Sequence, residues 1–279
     1  MPNEFNASII DEFRANKGQL SGPFADARLL LLTTTGARSG RPHTVPLRYT
    51  PHTGDRVVVV ASAAGAPRHP AWYHNVLANP TVTVESGGFT YEARAEVLAG
   101  DERDEVFARI AEHDARWADY QAATARVIPV VTLARLPSPP RIDGASFGTV
   151  LSAIHDTFRR ELRLIRAEVA ASGASVGAQL RVNCLALCGG LTQHHTMEDG
   201  GMFVGIGNQR PDLAPVLARL REEHEAIAAL VEGLDRVLAD PGPDRATLLA
   251  EVDRLTAELE SHLTYEERSL IPVLDGAAP

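Results

Sequence analysis

The stretch His194-His195-Thr196-Met197-Glu198 returns in outline as His262-Leu263-Thr264-Tyr265-Glu266, and this repeat decides the fold of the second half of the chain. In both stretches a histidine precedes a glutamate by four residues, and residues four apart lie on one face of a helix. Each pair can hold a metal centre from a single helix, because imidazole and carboxylate together suit iron, manganese or zinc. The repeat therefore predicts two helices that present metal ligands.

Four long stretches with helical periodicity contain these pairs and two further histidines. They run over residues 146–171, 175–197, 212–238 and 244–265. The breakers between them are Ser172-Gly173, the segment from Gly200-Gly201 through Pro211, and Asp240-Pro241-Gly242-Pro243. Four helices joined by modest loops predict an antiparallel bundle. Each predicted helix carries a histidine: His155, His194, His224 and His262.

The alternative to a metal site is a set of ordinary surface pairs, which is the usual meaning of one isolated His-x-x-x-Glu. Here two such pairs lie on the second and fourth helices, and the other two helices each add a histidine. A polar stripe of this kind inside a bundle would be costly without a cation. The predicted metal ligands are His155, His194, Glu198, His224, His262 and Glu266. Of the five histidines in this half, only His195 falls outside the pattern.

The order His, His-x-x-x-Glu, His, His-x-x-x-Glu resembles the hemerythrin-like HHE cation-binding domains, over residues 146 to 275. The flanks Ile154-His155-Asp156 and Glu266-Glu267 agree with it. The resemblance implies two non-heme iron ions bridged by Glu198, Glu266 and an exogenous oxygen. Oxygen-carrying hemerythrins have a second histidine one turn after that of the third helix, where this chain has Ala228. One iron would then keep an open coordination position, which favours catalysis over reversible oxygen carriage. Alternatively, that position would be taken by His195 or by water.

A proline-rich linker, residues 137–145, separates this bundle from a first half of different texture. The predicted domains are therefore residues 1–136, the linker, and residues 146–279. Short β-rich runs occupy residues 29–34, 44–49, 56–62, 81–85, 91–98 and 127–133, with turn signals between them. Helical patterns occupy residues 6–16, 71–77 and 101–111. These runs predict an α+β domain with a largely antiparallel sheet that closes into a small barrel.

One turn in the first half has the composition of an anion site. Leu32-Thr33-Thr34-Thr35-Gly36-Ala37-Arg38-Ser39-Gly40-Arg41-Pro42 is a strand that ends in hydroxyl groups, followed by a glycine turn with guanidinium groups. Its backbone amides, with Arg38 and Ser39, could hold a phosphate or a carboxylate, although exposed surface loops have similar compositions. There is no Gly-x-Gly-x-x-Gly after a strand and no Gly-x-x-x-x-Gly-Lys, so neither a Rossmann domain nor a P-loop is indicated.

From Asn6 to Leu136 the chain resembles the deazaflavin-dependent nitroreductase family, which is similar in fold to the split-barrel flavin reductases. The motifs are Phe13-Arg14-Ala15-Asn16, Gly22-Pro23-Phe24, the Thr-Thr-Thr-Gly turn, Trp72-Tyr73-His74-Asn75 and Ala118-Asp119-Tyr120-Gln121. The resemblance implies a split β-barrel that binds the deazaflavin coenzyme F-420. By that resemblance Arg38, Ser39, Arg41 and Ser62 would hold its phosphate and acidic tail, and Pro46, Leu47, Tyr49, Gly65, Trp72 and Asn75 would line its ring. Trp117 and Tyr120 fall where the family places aromatic, substrate-facing residues.

Two departures from the family pattern concern the tail of the cofactor. Ala37-Arg38 stands where the family often has two basic residues, and Ala63-Ala64 stands where lysine and glycine are frequent. Each lost exposed contact is worth about 1 kcal/mol or less. Weaker binding of the deazaflavin is therefore expected, and a plain flavin, FMN, is an alternative cofactor.

The bulk composition excludes several classes of protein. The 279 residues carry a formal net charge of -9 with a pI near 5.6, so neither nucleic acid nor an anionic membrane is an expected partner. No apolar run reaches the roughly 18 residues of a membrane span, and the N-terminus lacks a signal-peptide pattern. Cys184 and Cys188 lie four apart in a helical pattern, which indicates core packing in a reducing cytoplasm.

The two halves together suggest an oxidoreductase acting on small molecules, with a homodimer left open. The leading hypothesis is an F-420-dependent enzyme whose di-iron centre accepts electrons. That centre would reduce or activate oxygen, peroxide or nitric oxide, or oxidise an organic substrate. A second hypothesis is a quinone or nitro reductase with an oxygen- or iron-sensing module. A third is a di-iron oxygenase with a degenerate barrel.

Overall fold

A computed structural model describes residues 4–54, 56–137, 145–173, 176–240 and 244–276. The chain divides into two compact units, residues 1–143 and 144–279. Most of the predicted linker, residues 138–144, lies outside the described residues. No helix among the described residues is long and apolar enough to cross a membrane.

The first unit is a closed six-stranded barrel, which confirms the predicted α+β class. Its strands are β1 (Leu29–Thr35), β2 (Pro42–Pro51), β3 (Val57–Val60), β4 (Thr81–Ser86), β5 (Phe89–Val97) and β6 (Val130–Arg135). They pair antiparallel in the order β1-β2-β3-β6-β5-β4, and β4 pairs back with β1. The helices are α1 (Glu4–Ala15), α2 (Ala71–Ala78), α3 (Gly100–His113) and α4 (Arg116–Ala122), of which the sequence had not suggested α4.

The continuous apolar run at the start of β1 is explained by burial on both faces of the strand. Leu30 and Leu32 belong to the barrel core. Leu29 and Leu31 pack instead with Ile9 and Phe13 of α1. Because successive strand residues point to opposite faces, an apolar run here means that a helix covers the outside of the barrel.

The second unit is an all-α bundle. Its helices are α5 (Phe147–Ala171), α6 (Ala178–Met197), α7 (Phe203–Gln209), α8 (Ala214–Ala239) and α9 (Arg245–Leu274). Side-chain caps fix two helix starts: Ser146 accepts from Thr149 N–H at 3.2 Å, and Asp244 accepts from Thr247 N–H at 3.1 Å. The last helix continues beyond the predicted end at Tyr265, with Pro272 inside it.

The second helix of the bundle does not stop at Gly200-Gly201 as the sequence had suggested. A π-helical turn, Glu198–Met202, carries it directly into α7. Each glycine disfavours a helix by about 1 kcal/mol, but packing overrides this preference, since Phe203 and Ile206 are buried beyond the turn. Turns of this kind are frequent at functional sites.

Polar residues interrupt the apolar core of the bundle at one level. Along α8, the buried Leu220 and Ile227 bracket His224, and along α9, Leu263 and Leu270 bracket Glu266. Leu220 and Leu270 belong to one apolar cluster, whereas Ile227 and Leu263 belong to another. The predicted ligands therefore lie between two apolar layers.

Candidate metal centre and barrel cavity

Seven buried or nearly buried side chains meet between these two layers. α5 contributes His155, α6 contributes His194 and His195, the π turn contributes Glu198, α8 contributes His224, and α9 contributes His262 and Glu266. Their candidate ligand atoms form two groups. His195, His224 and His262 make one, and His155, His194, Glu198 and Glu266 make the other, with all atoms of a group within 4.8 Å of one another. The structure thus brings all six predicted residues together and adds His195.

Each glutamate reaches histidines on two different helices. Oε1 of Glu198 lies 3.2 Å from Nε2 of His194, and its Oε2 lies 3.5 Å from Nε2 of His224. Oε2 of Glu266 lies 3.3 Å from Nε2 of His155 and 3.6 Å from Nε2 of His262. Two carboxylates placed between two sets of imidazoles have the arrangement of bridging ligands in di-iron bundles.

The polar atoms at the centre have no hydrogen-bonding partner among the described residues. They are the Nε2 atoms of the five histidines and both carboxylate oxygens of Glu198 and Glu266, all buried. Buried polar atoms in proteins are nearly always hydrogen-bonded, and burying them unpaired is costly. Imidazole nitrogen and carboxylate oxygen are good ligands for iron. The donor set therefore fits a pair of metal ions.

The electrostatics of the cluster agree with this fit. Burial, reinforced by neighbouring histidines, lowers the pKa of His194 to about 3 and that of His195 to about 2. Both imidazoles are therefore neutral, which is the form that binds metals. Burial and the nearby Glu266 raise the pKa of Glu198 to about 10. A bound cation would favour the ionised carboxylate instead, so metal binding would release a proton.

Three carboxylates that the sequence analysis had not identified orient three of the histidines. Their oxygens lie within hydrogen-bonding distance of histidine Nδ1: Glu267 of His155 at 2.9 Å, Asp199 of His224 at 3.1 Å, and Glu223 of His262 at 3.0 Å. Each of them directly neighbours a candidate ligand in sequence, but the histidine that it contacts lies on another helix. Such partners fix the orientation of a ligating ring and raise its basicity. The doublets Glu198-Asp199, Glu223-His224 and Glu266-Glu267 were the available signal.

Each of these carboxylates in turn has an arginine nearby. Arg159 lies 2.7 Å from Glu267, Arg219 lies 2.8 Å from Glu223, and Arg221 lies 3.9 Å from Asp199. Burial works against ionisation of Glu267, but hydrogen bonds with His155 and Arg159 outweigh it and lower the pKa of this carboxyl to about 2. Arginine, carboxylate and histidine thus form three chains that lead from the surface to the centre.

The two cysteines lie deeper in the apolar part of the bundle. Cys184 and Cys188 are both buried within the main core cluster and are not joined in a disulfide. Burial, together with the charge of Asp235, raises the pKa of the Cys188 thiol far above its usual range. The thiolate, which is the reactive form, is therefore disfavoured.

In the barrel unit, a cavity of about 230 Å³ lies beside β2. Its lining comes from α1, the start of β1, β2, the end of β3 and the region of α4: Phe5, Asn6, Ile9, Phe24, Leu29, Pro46, Leu47, Arg48, Val60, Ser62, Ala64, Asp114, Arg116, Trp117 and Tyr120. Five predicted residues are among them: Pro46, Leu47, Ser62, Trp117 and Tyr120. The Trp117 and Tyr120 rings meet edge to face at 5.9 Å. Ligand pockets usually span about 300–1,000 Å³, so this cavity has room for only part of a drug-sized ligand.

The other predicted residues lie elsewhere on the barrel. Trp72 is only 5% exposed and belongs to the barrel core, against which Tyr49 also packs. Asn75 is buried; its amide donates to Thr34 Oγ1 at 2.9 Å, and its carbonyl accepts from Ala37 N–H at 3.0 Å. Asn75 therefore fixes the turn between β1 and β2.

That turn carries the predicted anion-binding residues at the surface. Arg38, Ser39 and Arg41 are exposed. The Ser39 hydroxyl lies 3.2 Å from His43 Nε2 and accepts from the Arg41 N–H at 3.3 Å. Gly36 is required here, since a Cβ at this position would lie 2.4 Å from Ser39 Oγ. The turn has a fixed shape and leaves two guanidinium groups facing solvent.

A strained loop forms one side of the cavity. Ala63, Ala64 and Gly65 have φ of 47°, 51° and 78°, three consecutive residues in the left-handed region. This explains why glycine is frequent where Ala64 stands, because glycine adopts that conformation without strain. A Cβ on Gly65 would lie 3.0 Å from the Tyr120 carbonyl oxygen, so the loop packs tightly on α4. Strain of this kind persists only where surroundings enforce it, and it clusters at functional sites.

Arg126 holds this loop at several of its carbonyl oxygens. Its guanidinium donates to the carbonyl oxygens of Ala66 at 2.9 Å and Ala61 at 3.2 Å, and also to that of Ser62. Charged donors make the stronger hydrogen bonds in proteins. Arg126 therefore closes both ends of the loop, a role that the sequence did not reveal.

Three charged residues that line the cavity were not among the site residues predicted from the sequence. Arg116 and Asp114 form an ion pair at 2.6 Å. Arg48 is half-buried, and burial, with the nearby charge of Arg116, lowers the pKa of its guanidinium. No ion pair of Arg48 is found in the part of the chain that the structure describes. The cavity thus combines aromatic rings with a net positive charge.

Comparisons with known proteins match the barrel unit and the bundle unit to two different families. The family model of the F420H(2)-dependent quinone reductases matches residues 8–135, and that of the hemerythrin HHE cation binding domain matches residues 148–274. An F420H(2)-dependent quinone reductase of Mycobacterium tuberculosis (strain ATCC 25618 / H37Rv) is 40% identical over 109 residues, 38% of this chain and 72% of that protein. A solved F420-H2 dependent reductase (FDR-A) is 41% identical, covering 38% of this chain and 93% of that chain with a TM-score of 0.35. Both resemblances drawn from the sequence are confirmed.

Proposed function

This chain belongs to the F420H(2)-dependent quinone reductase family and carries a hemerythrin HHE cation-binding domain as its second unit, and from this we propose that it is an F-420-dependent oxidoreductase with a non-heme di-iron centre. The barrel would bind the reduced deazaflavin. The bundle would hold two iron ions that accept electrons and reduce or activate a small oxidant such as oxygen, peroxide or nitric oxide, or oxidise an organic substrate. The buried, partnerless donor atoms at the centre of the bundle carry the metal part of this proposal.

In the barrel, the chemistry resides in the cofactor: a bound reduced deazaflavin supplies a hydride, which together with one proton converts a quinone to a quinol. The protein has to orient the two rings and exclude water. Trp117 and Tyr120 line the cavity with flat apolar surface. Arg48 and Arg116 would stabilise negative charge that develops on a quinone oxygen. Because the cavity has room for only part of a drug-sized ligand, the phosphate and tail would lie outside it, near Arg38, Ser39 and Arg41.

In the bundle, the proposed ligands are the six predicted from the sequence. When bound, a pair of iron ions supplies a redox centre that can take up two electrons. The four histidines would bind the ions, and the carboxylates of Glu198 and Glu266 would complete the ligand set. Glu267, Asp199 and Glu223 would hold three of the rings. Of the six predicted ligands, His194 has the most exposed side chain, at 8%. A small oxidant would therefore approach from the side of His194.

The experiment that tests the whole proposal is anaerobic. Reduced F-420 is mixed with the iron-loaded full chain, its absorbance is followed, and oxygen is then admitted. Rapid oxidation of the cofactor that requires both iron and oxygen is the expected result. His262→Ala should remove this oxygen-dependent reaction but leave the oxidation of reduced F-420 by added quinone intact. If metal-free protein consumes reduced cofactor and oxygen as fast as the loaded protein, the electron-accepting role is wrong.

Titrations of the full chain with F-420 and with FMN decide the identity of the cofactor. FMN presents a ring of similar shape, and the tail site is less basic than the family pattern. Binding of F-420 at lower concentration than FMN is expected, since Arg38 and Arg41 would contact the tail. Tighter binding of FMN would assign the barrel to flavin chemistry instead.

The enclosure of the centre favours a second candidate function. Every candidate ligand is buried or nearly so, which suits a module that senses oxygen or holds iron beside an independent reductase. In that case iron loading would change the regulation of quinone reduction, while His262→Ala would leave the unstimulated rate unchanged and oxygen would not oxidise the cofactor.

A further inference from the structure

A histidine outside the predicted pattern lies inside the metal centre. The side chain of His195 is buried, and its Nε2 has no hydrogen-bonding partner among the described residues. A ring nitrogen of His195 lies within 4.8 Å of the ligand atoms of both His224 and His262. Its ring also stacks on the His224 ring, with centroids 4.1 Å apart.

The position where oxygen-carrying hemerythrins have a further histidine holds no donor in this chain. Ala228, one turn after His224, is exposed. Its neighbour Ile227 is 1% exposed and packs in the apolar core. Ala228 therefore lies at the edge of the buried face of α8, and its methyl group offers no donor. A third donor for this ion has to come from another helix.

We propose that His195 is a fifth histidine ligand, which supplies to the metal ion held by His224 and His262 the donor that Ala228 cannot. This inference rests on the proposed di-iron centre. Two adjacent residues of α6 then serve different ions, His194 the one near His155 and His195 the one near His224. The ion near His224 has three imidazoles, and the ion near His155 has two. The open position predicted at Ala228 is thereby filled.

The alternative is that His195 only packs against His224. Adjacent residues of a helix point about 100° apart, so one of two neighbouring histidines would ordinarily leave the site. Here both Nε2 atoms are buried and unpartnered, at the same level of the bundle. A histidine that served only for packing would be expected to find a hydrogen bond for a buried nitrogen.

Two substitutions separate donation from packing in the full chain. His195→Phe keeps a flat ring that can stack on His224 but has no donor, whereas His195→Glu keeps a donor but loses the ring. Each protein is loaded anaerobically with ferrous iron, desalted and assayed for iron per chain in competition with a chelator. We expect two ions in the wild type and in His195→Glu. In His195→Phe one ion should be held at least about 10-fold more weakly, on the scale of lost outer-shell partners. Two ions held as tightly in His195→Phe as in the wild type would overturn the proposal.

A measurement on the unsubstituted protein covers the case in which a variant fails to fold. In the diferrous protein, each coordinated imidazole whose Nδ1 carries a proton gives a strongly shifted, exchangeable proton resonance. Five such resonances support His195 as a ligand, and four with two bound ions overturn it. If the wild type takes up fewer than two ions, the di-iron centre itself is wrong, which is a result distinct from failure of the fifth ligand.

Discussion

The metal centre of the bundle and the cavity of the barrel treat their polar atoms in opposite ways. At the centre, imidazole and carboxylate atoms are buried with no partner among the described residues. In the barrel, several polar side chains near the predicted cofactor site are paired: Asn75 with Thr34, Ser39 with His43, and Arg126 with the loop carbonyls. A protein that binds ions directly must keep donors free for them. A protein that holds an organic cofactor can satisfy its own groups and offer mainly a shape.

The largest effect should come from a shared carboxylate. Glu266→Leu should abolish the binding of both ions, because this one side chain lies 3.3 Å from His155 Nε2 and 3.6 Å from His262 Nε2. The matched control Glu267→Gln alters only an outer partner and should weaken binding about 10–100-fold. Iron per chain after desalting measures both, and F-420 binding should be unchanged. Retention of both ions by Glu266→Leu would contradict the bridging role.

The second-largest effect should come from removal of the metal, which should destabilise the bundle but leave the stability of the barrel unchanged. Ions present at about 1,000 times their dissociation constant stabilise a folded protein by about 4 kcal/mol, so a chelator should lower the free energy of unfolding of the bundle by that order. Both tryptophans of the chain, Trp72 and Trp117, are in the barrel. Tryptophan fluorescence in urea therefore reports the barrel, while far-ultraviolet circular dichroism mainly reports the bundle. An equal shift of both transitions would show that the metal stabilises the barrel as well.

In the barrel, F-420 binding should depend on the shape of the cavity more than on individual hydrogen-bond donors. Gly65→Ala places a Cβ 2.9 Å from Ala123 Cβ at a φ of +78° and should lower stability by about 1–3 kcal/mol while weakening F-420 binding. Gly100→Ala is the control, since φ there is +56° with nothing within 4 Å. It should cost only the backbone strain, about 1–2 kcal/mol. Unfolding followed by tryptophan fluorescence and F-420 titration distinguish the two, and equal F-420 affinities would argue against a role of the loop in the site.

The smallest effect concerns the strain at Ala64. Ala64→Gly relieves about 1 kcal/mol of left-handed strain but adds about 0.4–1 kcal/mol of unfolded-state entropy, so stability should stay within about 0.5 kcal/mol. Ala66→Gly, at an ordinary φ of -59°, should lose the entropic part alone. Urea unfolding measures both. A larger loss in Ala64→Gly than in Ala66→Gly would mean that the left-handed conformation carries no strain.

Periodicity was sufficient to predict most of the helices and strands, with α4 and α7 as exceptions, and six of the seven residues that meet at the candidate metal site. The spacing of four between His194 and Glu198, and between His262 and Glu266, places each pair on one helical face, and the structure brings both pairs together. His195 could not be assigned in this way, because its neighbour already occupied the predicted face and only the packing of the helices decides where it points. The π turn could not be predicted either. The pair Gly200-Gly201 indicates the end of a helix, but tertiary packing outweighs the low helix propensity of glycine.

The remaining residues were missed because their partners are distant in sequence. Glu267 meets His155 across 112 positions, and Arg126 meets Ser62 across 64. No local pattern contains such a pair. In the barrel the sequence alone placed Trp72 with the cofactor because of its motif, whereas the structure places it in the core.

The carboxylates beside the candidate ligands also bear on how the bundle forms. Asp199 holds a ring on α8, Glu223 on α8 holds a ring on α9, and Glu267 on α9 holds a ring on α5. The π turn, α8 and α9 thus each support a ligand on another helix, and α9 supplies both the carboxylate of Glu266 and the support for His155. A nascent or truncated bundle has no complete binding site. The proposed metal site is therefore complete only when α5, α6, α8 and α9 are all in place.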